Sequence, residues 1–259
     1  MRNLKISLIA LLASSTLFAA DPFCVAHRGN SSAELENSMA SILSAAKLGV
    51  PAIEFDVHHT KDGVAVINHD ENLARVTNPG ICPGEIAISA LTFKQINNLC
   101  TLKNGEKVPT LKAVLAELLP YNSKLVIEYK DLPEENDFNL IKEYYQETPS
   151  RLIFLSFEAS YLRKVQSLKK QFPFLKSAQY ILLKKYADAR EKIVADFDGL
   201  DSKYMTKSQV KKMHRKGKLL GCYTKDEEKK ILKYLKKGVD FITTNKPEVC
   251  MRVVSDFLK

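Results

Sequence analysis

The sequence predicts a closed (β/α)8 TIM barrel with a small insertion after the second barrel strand, and three observations carry that reading. Short apolar runs alternate with amphipathic helical segments almost from end to end. Eight such runs fit into 259 residues, the usual size of one α/β barrel. Polar and charged side chains gather where several of those runs end, at His27-Arg28, Glu54-Phe55-Asp56 and Glu128-Tyr129-Lys130. A doubly wound open sheet is the structural alternative, but it does not need eight such units.

The strand candidates are Phe23–Ala26, Ala52–Val57, Leu125–Tyr129, Leu152–Leu155, Lys176–Tyr180, Phe197–Leu200, Leu219–Tyr223 and Phe241–Thr243. Between most of them, apolar residues recur at helical spacing, as in Met39, Ile42, Leu43 and Ala46, or Ile231, Leu232 and Leu235. From about Val64 to Val108 the rhythm breaks into a short strand (Val64–Ile67), proline and glycine turns and two cysteines. This is read as the insertion, about residues 68–108. Insertions at the carboxyl ends of barrel strands cover or shape an active site.

Residues 1–20 form a separate unit. Arg2 and Lys5 precede the apolar run Ile6–Leu12, and small residues stand before Asp21, the pattern of a secretory signal peptide. The run is too short for a membrane span. The expectation is an exported protein, periplasmic or secreted, whose barrel is residues 21–259. Without Arg2 and Lys5 the formal charge falls from +9 to +7, which favours weak contact with anionic membrane surfaces. Most of the lysines fall on helix faces, such as Lys229, Lys233 and Lys236, where they keep a protein soluble. They do not interleave with aromatics as a nucleic-acid module would require, so no nucleic acid is expected as a partner. Export permits one or two disulfides among Cys24, Cys82, Cys100, Cys222 and Cys250. Cys82 and Cys100 bracket one loop-rich segment and are the preferred pair. Cys24 and Cys222 lie in strand-like runs and are expected as buried thiols.

In a parallel barrel the carboxyl ends of the strands converge on one face. Glu54 and Asp56 are two apart and point the same way from a strand, as do Glu128 and Lys130. Three carboxylates clustered inside a barrel are costly unless a cation neutralises them, and oxygen donors suit hard Mg²⁺ or Ca²⁺. For any single carboxylate a solvated rim is the simpler reading; for the set it is not. His69 follows soon after, so His27 and His69 could flank a phosphodiester as base and acid. His59 and His214 are expected to be structural or incidental, while His58 shares strand parity with Glu54 and Asp56 and is expected near the rim.

The chain carries His27-Arg28-Gly29, Glu36-Asn37-Ser38, Glu54-x-Asp56, Thr60-Lys61-Asp62-Gly63 and His69-Asp70 with Leu73-x-Arg75-x-Thr77. It continues with Val108-Pro109-Thr110-Leu111 and Glu128-x-Lys130, fades in the middle strands, and returns at Gly238-Val239-Asp240 and Thr244-Asn245-Lys246-Pro247. In order and spacing this resembles the glycerophosphodiester phosphodiesterase family. The resemblance implies hydrolysis of glycerophosphodiesters to glycerol phosphate and an alcohol. It implies Glu54, Asp56 and Glu128 as ligands of one divalent cation and His27 and His69 as the acid–base pair. Arg28, Lys130, Glu36 and Tyr223 would be the substrate-binding residues. Whether a substrate hydroxyl or water attacks first stays open.

Two departures are mild: Leu35 stands where the family usually has proline, and Ser38 replaces threonine. A third affects substrate preference, since Tyr223 stands where the family often has tryptophan. Phospholipase D-like cleavage of lysophospholipid or sphingomyelin is the nearest rival, and an exposed apolar loop around Phe93 or Phe138 would favour it. A non-catalytic phosphodiester-binding protein is a more distant one, because every residue of the constellation is present.

Overall fold

The computed structural model describes residues 21–187 and 192–259, so the signal-like segment 1–20 lies outside the described residues. In chain order the strands are β1 (Phe23–Ala26), β2 (Ala52–His59), β3 (Ala65–Ile67), β4 (Lys124–Tyr129) and β5 (Leu152–Ser156). They continue with β6 (Gln179–Tyr186), β7 (Gly199–Tyr204), β8 (Leu219–Cys222) and β9 (Phe241–Thr244). Eight of them close a parallel ring in the order β1-β9-β8-β7-β6-β5-β4-β2, with β2 paired back to β1. Strand β3 is antiparallel and attached only to the end of β2. The helices are α1 (Met39–Lys47), α2 (Phe93–Leu99), α3 (Leu111–Leu118), α4 (Glu135–Tyr145), α5 (Ala159–Ser167), α6 (Lys207–His214), α7 (Glu228–Leu235) and α8 (Pro247–Leu258). Between β6 and β7 the described residues hold only a short 3-10 stretch, Lys192–Asp196.

Strand alternation sorts the apolar residues into two layers. Val25, Ala52, Val126, Ile153, Leu155, Ile181, Leu183 and Phe241 fill the barrel interior. The intervening residues, such as Ile53, Phe55, Ile127, Phe154 and Leu182, pack against the helices. Gly221 is required by this packing: a Cβ there would meet the Phe241 ring at 2.0 Å. The segment between β3 and α3 has its own small core of Leu73, Val76, Ile88, Leu91, Ile96 and Leu102, closed by the Cys82–Cys100 disulfide.

Two strands lie elsewhere than the sequence predicts. The β6 strand begins at Gln179 rather than Lys176, because Pro173–Ser177 turns as a 3-10 helix. It then runs on past the expected end at Tyr180 to Tyr186. The β7 strand begins at Gly199 rather than Phe197 and continues past Leu200 through Asp201, Ser202 and Lys203. Cys24 corrects a further expectation, since it is bonded to Cys250 across 226 residues. It faces away from the barrel interior, where the first turn of α8 lies against β1.

His59 is structural, one of the two roles expected of it. Its Nδ1 donates to Asp131 Oδ1 at 2.5 Å, its Nε2 to Asp137 Oδ2 at 3.0 Å, and Asp131 Oδ2 also accepts the His59 backbone N–H at 2.8 Å. Burial alone would lower its pKa, but the hydrogen bonds to the two carboxylates raise it to about 10. The imidazolium thus ties the end of β2 to the start of α4. A histidine whose folded pKa is raised contributes fully below its unfolded value of about 6.5, and the contribution fades as pH rises towards 10. His59→Gln is therefore expected to cost roughly 2–4 kcal/mol at pH 6 and much less at pH 10. Urea titrations of both proteins across that range check this; a cost independent of pH would contradict it.

Candidate active site

The first strand ends in a turn that puts its polar residues onto the barrel mouth. Arg28 (φ 57°) and Gly29 (φ 79°) both adopt left-handed conformations. A Cβ at Gly29 would lie 2.5 Å from the Ser41 backbone, so glycine is required there. The turn lets the Arg28 backbone N–H donate to Glu54 Oε2 at 2.7 Å.

The Glu36-Asn37-Ser38 motif has three separate jobs. Asn37, also left-handed at φ 57°, donates to Asp56 Oδ2 at 2.8 Å and accepts the Asp56 backbone N–H at 3.3 Å. Ser38 caps α1 by accepting the Ser41 N–H. Glu36 accepts from Arg28 Nη1 at 2.8 Å and from two nitrogens of Arg75, each at 2.8 Å. With its oxygens taken by two guanidinium groups, Glu36 stands behind Arg28 and aims it.

Glu54, Asp56 and Glu128 come together as their parity predicts. One oxygen from each lies within 4.8 Å of the others, and all three residues are buried. Neither Glu54 Oε1 nor Asp56 Oδ1 makes a hydrogen bond to the protein, though Lys130 Nζ stands 3.3 Å from the latter. Lys130 donates to Glu128 Oε1 at 2.7 Å, and Arg28 Nε lies 3.4 Å from Asp56 Oδ2. Two cations therefore face three carboxylates. The deficit is felt by Glu54, whose pKa is pushed well up by burial and then by the charges of Asp56 and Glu128. Buried oxygens without donors and an excess of negative charge are what a divalent cation satisfies, so the residues present fit one.

Both histidines line the cavity beside this cluster, and each has its Nδ1 bonded away from it. Asn245 donates its amide N–H to Asp226 Oδ2 at 2.9 Å, which turns its Oδ1 towards His27 Nδ1 at 2.7 Å. An oxygen there can only accept, so His27 carries its proton on Nδ1 and its Nε2 lone pair is free. Burial first, and then the Arg28 charge, lowers the His27 pKa to about 4. His69 Nδ1 donates to Asp70 Oδ1 at 2.8 Å, and Arg75 Nε holds the other Asp70 oxygen at 2.6 Å. His69 is also lowered, by burial first, while Asp56 and Asp70 oppose the shift. His58 Nε2 donates to the His69 carbonyl at 3.3 Å, so its expected place beside the rim holds.

A cavity of about 290 Å³ opens over these groups. His27, Arg28, Glu54, His69, Glu128 and Lys130 form one side. The far side has Phe157, Leu183, Asp201, Lys203 and Tyr223. The Tyr223 ring meets Phe157 edge-on with centroids 5.9 Å apart, and its hydroxyl donates to the Lys184 carbonyl. Asn37, Asn245 and Arg75 sit inside quoted motifs without being assigned roles; Asp201 and Phe157 carry no sequence signal of that kind. Phe138 is fully buried and Phe93 packs into the insertion core, so neither forms the exposed loop that would mark a lipid enzyme.

Residues 27–249 match the model of the glycerophosphoryl diester phosphodiesterase family. A glycerophosphodiester phosphodiesterase of Caldanaerobacter subterraneus subsp. tengcongensis is 34% identical over 89% of this chain and 96% of its own. Glycerophosphodiester phosphodiesterase 1 of Homo sapiens is 34% identical over 48% of this chain, but the match spans only 38% of the human protein. Among solved structures, an Oleispira antarctica phosphodiesterase in complex with the product sn-glycerol-3-phosphate superposes with a TM-score of 0.75 at 24% identity. That match covers 90% of this chain and 97% of the other.

Proposed function

The chain belongs to the glycerophosphoryl diester phosphodiesterase family, and from that premise we propose that it hydrolyses small glycerophosphodiesters to glycerol phosphate and an alcohol. The observation that carries the reading is a cluster of three buried carboxylates, two of which, Glu54 and Glu128, line one cavity together with His27, His69, Arg28 and Lys130. Glu54, Asp56 and Glu128 would hold one divalent cation, Mg²⁺ or Ca²⁺, which when bound polarises the phosphoryl group. Arg28 and Lys130 bind phosphoryl oxygens and stabilise the charge that grows in the transition state.

The histidines divide the proton work. His27, neutral and with a free Nε2 lone pair, takes the proton from the attacking oxygen, of a substrate hydroxyl or of water, as the new P–O bond forms. His69 gives a proton from Nε2 to the ester oxygen as that bond breaks, the Asp70 carboxylate stabilising its charged form. After attack by the hydroxyl, water opens the cyclic phosphate with the two histidines in reversed roles. Asn245 and Asp70 fix the two rings in the required tautomers.

A lipid-bearing substrate is the second reading, and one observation favours it. Phe157, Leu132, Tyr186 and Tyr204 are exposed at the carboxyl ends of the strands, with Tyr186 and Tyr204 stacked 5.5 Å apart. Such a rim suits a lysophospholipid tail or a weak contact with an anionic membrane surface. Export to an oxidising compartment is part of the proposal, supported by the pattern of residues 1–20 and by two disulfides.

Purified protein should release glycerol phosphate from glycerophosphocholine and glycerophosphoethanolamine. Release should stop with EDTA and return with Mg²⁺ or Ca²⁺. Cleavage of lysophospholipid alone would move the assignment to the lipid reading, and cleavage of neither would end it.

A further inference from the structure

One buried acid in the cavity has no part in the chemistry above. Asp201 lies on β7, four places round the ring from β2 in either direction and so diametrically opposite Glu54 and Asp56. It is 1% exposed. Its Oδ2 accepts from Thr243 Oγ1 at 3.0 Å, but its Oδ1 has no donor among the described residues. The residue lines both the cavity and the small apolar space beneath it, which places it at the floor. A buried carboxyl oxygen without a partner is costly, and the fold has built nothing to satisfy it. Burial also pushes the Asp201 pKa up to about 7 against the opposing Thr243 hydrogen bond and Lys225 charge.

Resting on the phosphodiesterase reading, we infer that Asp201 is a specificity residue whose free oxygen hydrogen-bonds a hydroxyl on the non-reacting part of the substrate. Lys203, two places along the same strand, lines the cavity beside Asp201, so a neutral hydroxyl fits that side better than a cationic headgroup. A hydroxyl can donate to Oδ1 when the carboxyl is ionised, and can accept from it when the carboxyl is protonated. Leu155 and Leu183 beside it offer no competing polar atom and keep the bond shielded from water. The hydroxyl comes either from the terminal carbon of the glycerol unit or from the leaving alcohol. The cost of an unsatisfied oxygen in the free enzyme then serves discrimination: a substrate lacking the hydroxyl leaves that oxygen unpaired.

The test measures kcat/KM for wild type, Asp201→Ala and Asp201→Asn in two arms. The first compares glycerophosphocholine with its analogue in which the terminal glycerol hydroxyl is replaced by hydrogen. The second compares glycerophosphodiesters of ethylene glycol and of ethanol. In one arm wild type should prefer the hydroxylated substrate by roughly 10–100-fold, and in Asp201→Ala the preference should shrink to about threefold or less. Asp201→Asn keeps an oxygen and should keep the preference. Removing an unsatisfied carboxyl should leave the melting temperature of Asp201→Ala equal to or above that of wild type, which separates recognition from a structural role. Unchanged preferences in Asp201→Ala, with wild type active, overturn this inference alone. A wild type that cleaves none of these diesters overturns it together with the functional reading.

Discussion

Replacing His27 by alanine is expected to lower kcat by roughly 10²–10⁴-fold while leaving affinity for the divalent cation and the melting temperature nearly unchanged. The expectation follows from the geometry of one ring. His27 touches no cation ligand through a hydrogen bond; its Nδ1 is tied to Asn245, which is in turn held by Asp226. Its Nε2 is therefore left to the cavity, and burial, with the nearby Arg28 charge, keeps the ring unprotonated where a base is needed. Asn245→Ala should show a smaller loss, because the ring stays in place but its tautomer is no longer fixed. Steady-state kinetics with saturating cation reads both. Equal kcat in wild type and His27→Ala would remove His27 from the proton transfer.

The largest stability effect is expected from Cys24 and Cys250. Their bond closes a loop spanning 226 residues, so the unfolded chain loses conformational entropy worth about 5 kcal/mol in the loop-closure model. The same model gives about 3 kcal/mol for Cys82–Cys100, whose separation is only 18. The longer link also fastens β1, which carries His27 and Arg28, to α8, the last element of the chain. A Cys24→Ala, Cys250→Ala double variant should melt roughly 10 °C or more below wild type. Calorimetry under non-reducing conditions measures the difference. A variant melting within a degree or two of wild type would show that the bond adds nothing to the packed barrel.

The parts of the site that were legible in the sequence are those fixed by local geometry. Strand parity alone puts Glu54 with Asp56 and Glu128 with Lys130, and the parallel ring then brings the pairs together. What periodicity could not give depends on residues far apart in the chain. Cys24 looks like any buried strand cysteine until barrel closure brings α8 against β1. Arg75, from the insertion, shares Glu36 with Arg28, a contact that no local spacing reports. His59 reads no more specifically than structural or incidental, because both its partners lie beyond the insertion, at Asp131 and Asp137. Asp201 was hidden for another reason. Its run Asp201-Ser202-Lys203 is polar, and polarity in a strand usually signals its end. In a barrel the carboxyl ends of strands line a cavity, and there polarity reports a site instead.

If Glu54, Asp56 and Glu128 bind one divalent cation beside His27 and His69, crystals grown with Mn²⁺ in place of Mg²⁺ or Ca²⁺ and measured at the manganese absorption edge will reveal it. A single strong anomalous peak is expected in the cavity, about 2.0–2.4 Å from one oxygen of each carboxylate. No such peak at millimolar Mn²⁺, with Lys130 still bonded to Glu128, would rule out these three carboxylates as the cation's ligands.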